Sequence, residues 1–159
     1  MSPRTFCFAC VAALAIASPT LAQSWEITRG EDFLSGEDYL RGGITSGADG
    51  FSVTCVAGEP HPTYSFTTEN FVASPGMRPV EMLLDIDGQE FVWIAGADAV
   101  SGGYLMYGET MNTADIVTIN TRMMNGRQMT VSIPSFDVAA TFPLTGSSRV
   151  LRDVLGFCG

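Results

Sequence analysis

The sequence predicts a mainly β fold, a small antiparallel β-sandwich or barrel-like domain with one internal helix and a short C-terminal helix. Three observations lead there. After the leader described below, glycine and proline recur roughly every 8 to 12 residues and cut the chain into short apolar and β-branched runs, the spacing of antiparallel strands. The stretch VEMLLDIDGQEFVWI sets Asp87-Gly88 between two such runs, and that dipeptide takes the positive φ angles of a two-residue hairpin turn. Only two segments change to a helical period, and both are short.

In chain order, Met1 to Ala22 comes first. It carries Arg4, an apolar run from about Phe6 to Ala17, then Pro19 and a small-residue T-L-A site before Gln23. That is the pattern of a secretory signal peptide, so residues 23–159 are expected to form a single exported domain, periplasmic or secreted. The run is shorter than the roughly 20 apolar residues of a membrane-spanning helix, and no later stretch approaches that length, so no membrane span is expected after cleavage. Cys7 and Cys10 lie inside the leader, which removes CFAC as a redox motif.

Strands are expected at about Gly43 to Thr45, Phe51 to Val56, Tyr64 to Thr68, Val80 to Ile86, Gln89 to Ile94, Tyr104 to Tyr107, Gln128 to Ile133 and Val138 to Phe142. In the second arm of the Asp87-Gly88 hairpin, Phe91 and Trp93 alternate with Val92 and Ile94. Apolar residues on both sides predict a strand covered on both faces. Asn112 to Asn125 places Ile116, Ile119 and Met123 on one helical face, follows the cap candidates Asn112 and Thr113, and meets Gly126 as a stop. Its β-branched residues also fit alternation, the competing reading.

The chain closes with SSRVLRDVLGFCG. Ser147 or Ser148 is the expected cap of a helix with Val150, Leu151, Val154 and Leu155 as its apolar stripe, Arg149, Arg152 and Asp153 on the wet side and Gly156 as the stop. So short a helix is marginal alone and must dock. Outside the leader only Cys55 and Cys158 remain, and in an oxidising compartment an even pair reads as one disulfide, two free buried thiols being the alternative. Such a bond would tie the last helix to the strand ending FSVTC.

Charge narrows the partners. With 17 acidic residues against eight basic ones, all arginine, the net charge is −9. This disfavours nucleic acid and anionic membranes, permits a cationic partner and keeps an exported chain soluble. Chemistry-bearing constellations are thin. His61, the only histidine, sits in EPHP, where prolines impose an extended loop. Asp85, Asp87 and Gly88 begin like a calcium loop without the later ligands, and the hairpin turn explains them. Glu31, Asp32, Glu37 and Asp38 are the carboxylates left for a hydrolase, in a solvated Gly/Ser-rich stretch. The methionines scatter through apolar segments as core filler and form no Cu(I) cluster. No enzyme activity, cofactor or metal is expected.

Two resemblances bear on function. MMNGRQMTVSI through ATFPLTGSSRVLRDVLGFC, with Met124 to Gly126, Met129 to Ile133 and then Phe142, Leu144, Gly146 and Ser148, resembles the C-terminal half of the exported invasion associated locus B family. LLDIDGQEF is similar to that family's central L-x-I-D-G element. The likeness covers about half of the chain beyond the leader, which lacks that family's paired mid-chain cysteines. It implies a β-rich exported module binding a protein or envelope ligand, without a catalytic site to carry over. The hairpin followed by Ser101, Gly102 and Tyr104 in SGGY is also similar to the loop motif of periplasmic lysozyme inhibitors, which implies a partner-binding loop. The usual downstream lysine-containing segment is missing, the chain having no lysine at all, and a tight inter-strand loop is the plainer explanation of SGGY.

Overall fold

The computed structural model describes residues 23–32, 35–70, 79–100, 103–108 and 113–158. The leader and Asn112 lie outside them. Nine strands are present among these residues: β1 (Glu26–Glu31), β2 (Asp38–Ser46), β3 (Asp49–Val56), β4 (Thr63–Thr68), β5 (Val80–Ile86), β6 (Gln89–Val100), β7 (Gly103–Gly108), β8 (Gln128–Ile133) and β9 (Val138–Pro143). Helix α1 (Thr113–Asn125) joins β7 to β8, and α2 (Ser147–Leu155) follows β9. The strands form one sheet in the order β1-β2-β3-β4-β7-β6-β5-β8-β9, antiparallel at every step.

The sheet curls over its own apolar side. Phe142 of β9 comes within 6.4 Å, ring centre to centre, of Phe51 on β3 and 6.5 Å of Phe66 on β4. Beside β1, the Trp25 indole N–H donates to the Pro143 carbonyl at 3.0 Å, drawing the two ends of the sheet together. This is the barrel-like arrangement the strand spacing predicts. Strand alternation supplies the core: Phe51, Val53 and Cys55, then Tyr64 and Phe66, then Met82, Leu84 and Ile86, then Met129, Val131 and Ile133 are all buried. Met82, Met106, Met123 and Met129 are fully enclosed there, as filler.

Three expectations need correction. The segment before Gly43, where the periodicity predicts no strand, holds a whole strand, β1, and most of β2; DYLRGGITS buries Leu40, Gly42 and Ile44, an alternation blurred by its glycines and arginine. Strand β6 is central yet covered on one face only, with Val92 56% and Ile94 47% exposed. Both helices pack on the concave side, and period-2 patterning cannot say whether a second layer exists. Finally, neither Ser147 nor Ser148 caps α2. Gly146 is its N-cap, at φ +89, without a side-chain bond. Ser147 is the first helical residue, and its buried hydroxyl is shared between the carbonyls of Met123 at 2.6 Å and Leu144 at 2.7 Å. It links the end of α1 to the start of α2.

Helix α1 follows the helical spacing rather than alternation: Ile116, Ile119, Asn120 and Met123 are buried and Val117 is exposed. The hydroxyls of Thr118 and Thr121 return to carbonyls one turn back, which satisfies polar groups in a β-branched helix. Asn120 accepts from the Tyr64 phenol at 2.7 Å. Burial pushes that phenol's pKa well above its usual value, so it remains a neutral donor.

Candidate functional site

The Cys55–Cys158 disulfide is formed, with Cα atoms 5.1 Å apart. Cys55 is fully buried at the inner face of β3. The bond brings the end of the chain against the sheet, where Phe157 lies under the Arg29 guanidinium of β1 at 5.8 Å. Helix α2 fits closely because β2 offers no side chain beneath it: a Cβ on Gly42 would stand 2.5 Å from Val150 Cγ1 and 3.1 Å from Val154 Cγ2. Val150, Leu151 and Val154 are buried and Arg152 is exposed, as the stripe predicts. This corner is architecture.

The same holds for the L-x-I-D-G element. Asp87, at φ +51, turns the β5–β6 hairpin, and its carboxylate accepts from the backbone N–H groups of Arg127 at 2.9 Å and Gln128 at 3.2 Å. Asp85 accepts from Gly88 N–H at 3.0 Å. Asp87 thus fastens the hairpin to the start of β8, and Asp85 closes the turn itself. Among the described residues no group of three or more His, Cys, Asp or Glu side chains is placed to hold a metal ion.

Ser101 and Gly102 lie outside the described residues, between β6 and β7. Tyr104 is in β7, not in a loop: it pairs with Thr68 on one side and Ala99 on the other and packs, half-buried, against the core. Gly103 beside it cannot be replaced, since a Cβ there would run into the Thr68 carbonyl. His61 is exposed, as are Glu31, Glu37 and Asp38, and Asp32 is half-buried. Glu31 and Asp38 face each other at the turn end of the β1–β2 hairpin, and Asp32 accepts from Ser35 N–H at 2.9 Å in the turn. No helix among the described residues is long and apolar enough to cross a membrane.

A groove that the motifs did not point to lies on the outer face of β1, β2 and β3. It measures about 590 Å³ and is bordered by Glu26, Thr28, Arg41, Thr45, Ser52 and Thr67, with Gly43 and Gly50 on its floor. It exists because side chains are missing. Register sets Glu26 opposite Gly43, Gly43 opposite Ser52 and Thr45 opposite Gly50, so two outward positions on adjacent strands carry no side chain, and the Thr67 hydroxyl leans over Gly50. Arg41 is held in place: its Nε donates to Thr54 Oγ1 at 3.1 Å and its guanidinium lies 5.3 Å from the centre of the Tyr39 ring. Tyr39 in turn crosses Gly30, and farther along the face Tyr107 crosses Gly96, since a Cβ at either glycine would lie within 3 Å of ring atoms. The signal was in the sequence, where GGITSGADGFSVT mixes outward glycines with serine and threonine.

No family model matches the sequence, and no curated protein matches it. Among solved structures, the chain is similar to the crystal structure of invasion associated protein B from Bartonella henselae, at a TM-score of 0.55 and 13% identity, over 85% of this chain and 94% of that one. At that identity the likeness is one of fold: the resemblance read from the C-terminal motifs extends, as architecture, across most of the domain.

Proposed function

We propose that the protein is an exported, non-enzymatic binding domain of the cell envelope, resembling the invasion associated locus B family in role as well as in fold. The observation that carries the reading is the Cys55–Cys158 bond, anchored in the core through Cys55, which belongs to an oxidising compartment and agrees with the leader sequence. The carboxylates that chemistry would need are turned to structural work, as at Asp85 and Asp87, or stand exposed at a hairpin end. The groove, by contrast, offers an open polar surface on a rigid sheet.

Fractionation of cells expressing the full chain tests export. The expected product begins at Gln23, lies outside the cytoplasm and resists thiol alkylation unless first reduced; a cytoplasmic chain with two alkylatable thiols overturns it. Saturable cosedimentation with envelope, without release of soluble fragments, tests binding against hydrolysis.

Lysozyme inhibition is the second reading. It is favoured by the β6–β7 hairpin, whose end from Asp98 to Val100 is exposed. Lysozyme activity on cell walls, measured with excess domain and with a Ser101→Ala, Tyr104→Phe variant, separates the two. We expect unaltered lysozyme activity, because Tyr104 packs against the sheet; inhibition abolished by the variant would reverse the ranking.

A further inference from the structure

We infer that the outer face of β1–β4 and β7 binds a neutral, linear oligosaccharide, seated over Gly43 and Ser52 and extending toward Tyr107; this rests on the reading of the protein as a binding domain and names its ligand class. The residues form one row across the sheet. Register runs from Glu26 to Gly43, Ser52, Ser65, Tyr107 and Gly96 on successive strands. At the usual strand spacing the four steps from Glu26 to Tyr107 cover about 19 Å, longer than one sugar ring.

The chemistry of the row selects the ligand. Hydroxyls of Thr28, Thr45, Ser52 and Thr67 border the groove; Ser52 shares a hydrogen bond with Ser65 at 3.1 Å and Thr67 donates to the Gly50 carbonyl at 3.4 Å, which leaves their oxygens as acceptors for sugar hydroxyls. One carboxylate, Glu26, and one guanidinium, Arg41, leave no net charge to hold a phosphate in a chain that is acidic overall. Arg41 spends its Nε on Thr54 and is backed by Tyr39, so its terminal nitrogens are presented without much further ordering. The volume, about 590 Å³, falls among small-molecule sites, roughly 300 to 1,000 Å³, but the polar border suits a ligand that keeps part of its hydration. An extended peptide is a poorer fit. Strands β2 and β3 are interior, and their backbone groups are already paired with β1, β2, β3 and β4. The aromatic element decides for a sugar: the Tyr107 ring is laid across Gly96 as a platform for the apolar face of a pyranose.

The test uses the oxidised domain from Gln23 onward, titrated with maltotriose, tri-N-acetylchitotriose and the two corresponding monosaccharides, glucose and N-acetylglucosamine, with nuclear magnetic resonance to locate binding. One trisaccharide is expected to bind with a Kd of about 1 mM or tighter and to shift Ser52, Thr67 and Tyr107. Gly43→Thr fills the floor while its Cβ stays 3.3 Å from the Phe51 carbonyl and 3.4 Å from Ser52 Cβ, so the variant should fold and lose at least about tenfold in affinity. Tyr107→Ala should weaken the trisaccharide and spare the monosaccharide; Tyr107→Phe should keep both. No shift at about 10 mM of any probe, or wild-type binding by Gly43→Thr, overturns the assignment. Envelope cosedimentation that persists in that case leaves the binding-domain reading standing, whereas loss of both sinks both.

Discussion

Gly42 and Gly43 are neighbours on β2, and they serve opposite faces of the sheet. Gly42 points inward and lets Val150 and Val154 of α2 close on the strand; Gly43 points outward and opens the groove floor. The contrast extends to the whole inner and outer faces. Inward lie most of the apolar motif residues of the resemblance: Met129, Val131, Ile133, Phe142 and Leu144 are buried, while Gly146 and Ser148 stand at the start of α2. Outward lie serine, threonine, glycine and flattened tyrosine. Motifs that identify the fold therefore report on the inner face, and they say little of a ligand that would meet the outer one.

If the inner face is the structural one, the largest effects belong there. Cys55→Ser or Cys158→Ser releases a loop whose ends are 103 residues apart, and chain entropy puts such a bond at roughly 4 to 5 kcal/mol for a loop of about 100 residues. This is comparable to the entire stability of many small domains. The variants should show a sharply lower urea midpoint and early exchange of backbone amides after Gly146, relative to the oxidised parent. A parent with two titratable thiols and an equal midpoint would break the comparison at its strongest point.

Leu151 comes next. It is fully buried in the stripe of α2, whereas Arg152 is exposed and returns only to Ser148, at 3.0 Å to its carbonyl. Leu151→Ala should cost about 2 to 4 kcal/mol and Arg152→Ala less than about 0.5, read from paired chemical denaturation curves. Equal small effects would make the segment a loose tail and would remove the inner-face role of α2.

How legible this was depended on which face a residue serves. Strand periodicity, the Asp87-Gly88 turn and the stripe of α2 are local patterns, and β3, β4, β5, β8, β9 and both helices are found close to their expected bounds. Strand β1 was illegible because EITRGE is almost wholly exposed at a sheet edge and carries no apolar alternation. Val92 and Ile94 misled for the opposite reason, being apolar without a layer to cover them. The groove was hidden because it arises from register: only pairing sets Gly43 beside Ser52 and Gly50 beside Thr45. A serine before a helical stripe suggests a cap, and nothing local reveals that the Ser147 hydroxyl donates instead, to Leu144 and to a Met123 carbonyl 24 residues away.

The finest test compares the two glycines directly, with the same change at adjacent positions. Gly42→Ala introduces a methyl 2.5 Å from Val150 Cγ1, on a helix held by the disulfide, so the contact must be relieved by moving α2 or the strand. Overpacking of this kind costs about 1 to 3 kcal/mol. Gly43→Ala brings its methyl to 3.3 Å from the Phe51 carbonyl and 3.4 Å from Ser52 Cβ, tight contacts that the strand pair relieves by a few tenths of an ångström, while removing the entropy cost of a glycine within a strand, so its melting temperature should change little. A Val150→Ala background sharpens the result. Removing the methyl that Gly42→Ala strikes should recover part of the loss, a coupling that Gly43→Ala, on the other face, should not show. Equal losses at the two glycines, or equal coupling to Val150, would mean that α2 does not rest on β2 as described and that the division between the faces is wrong.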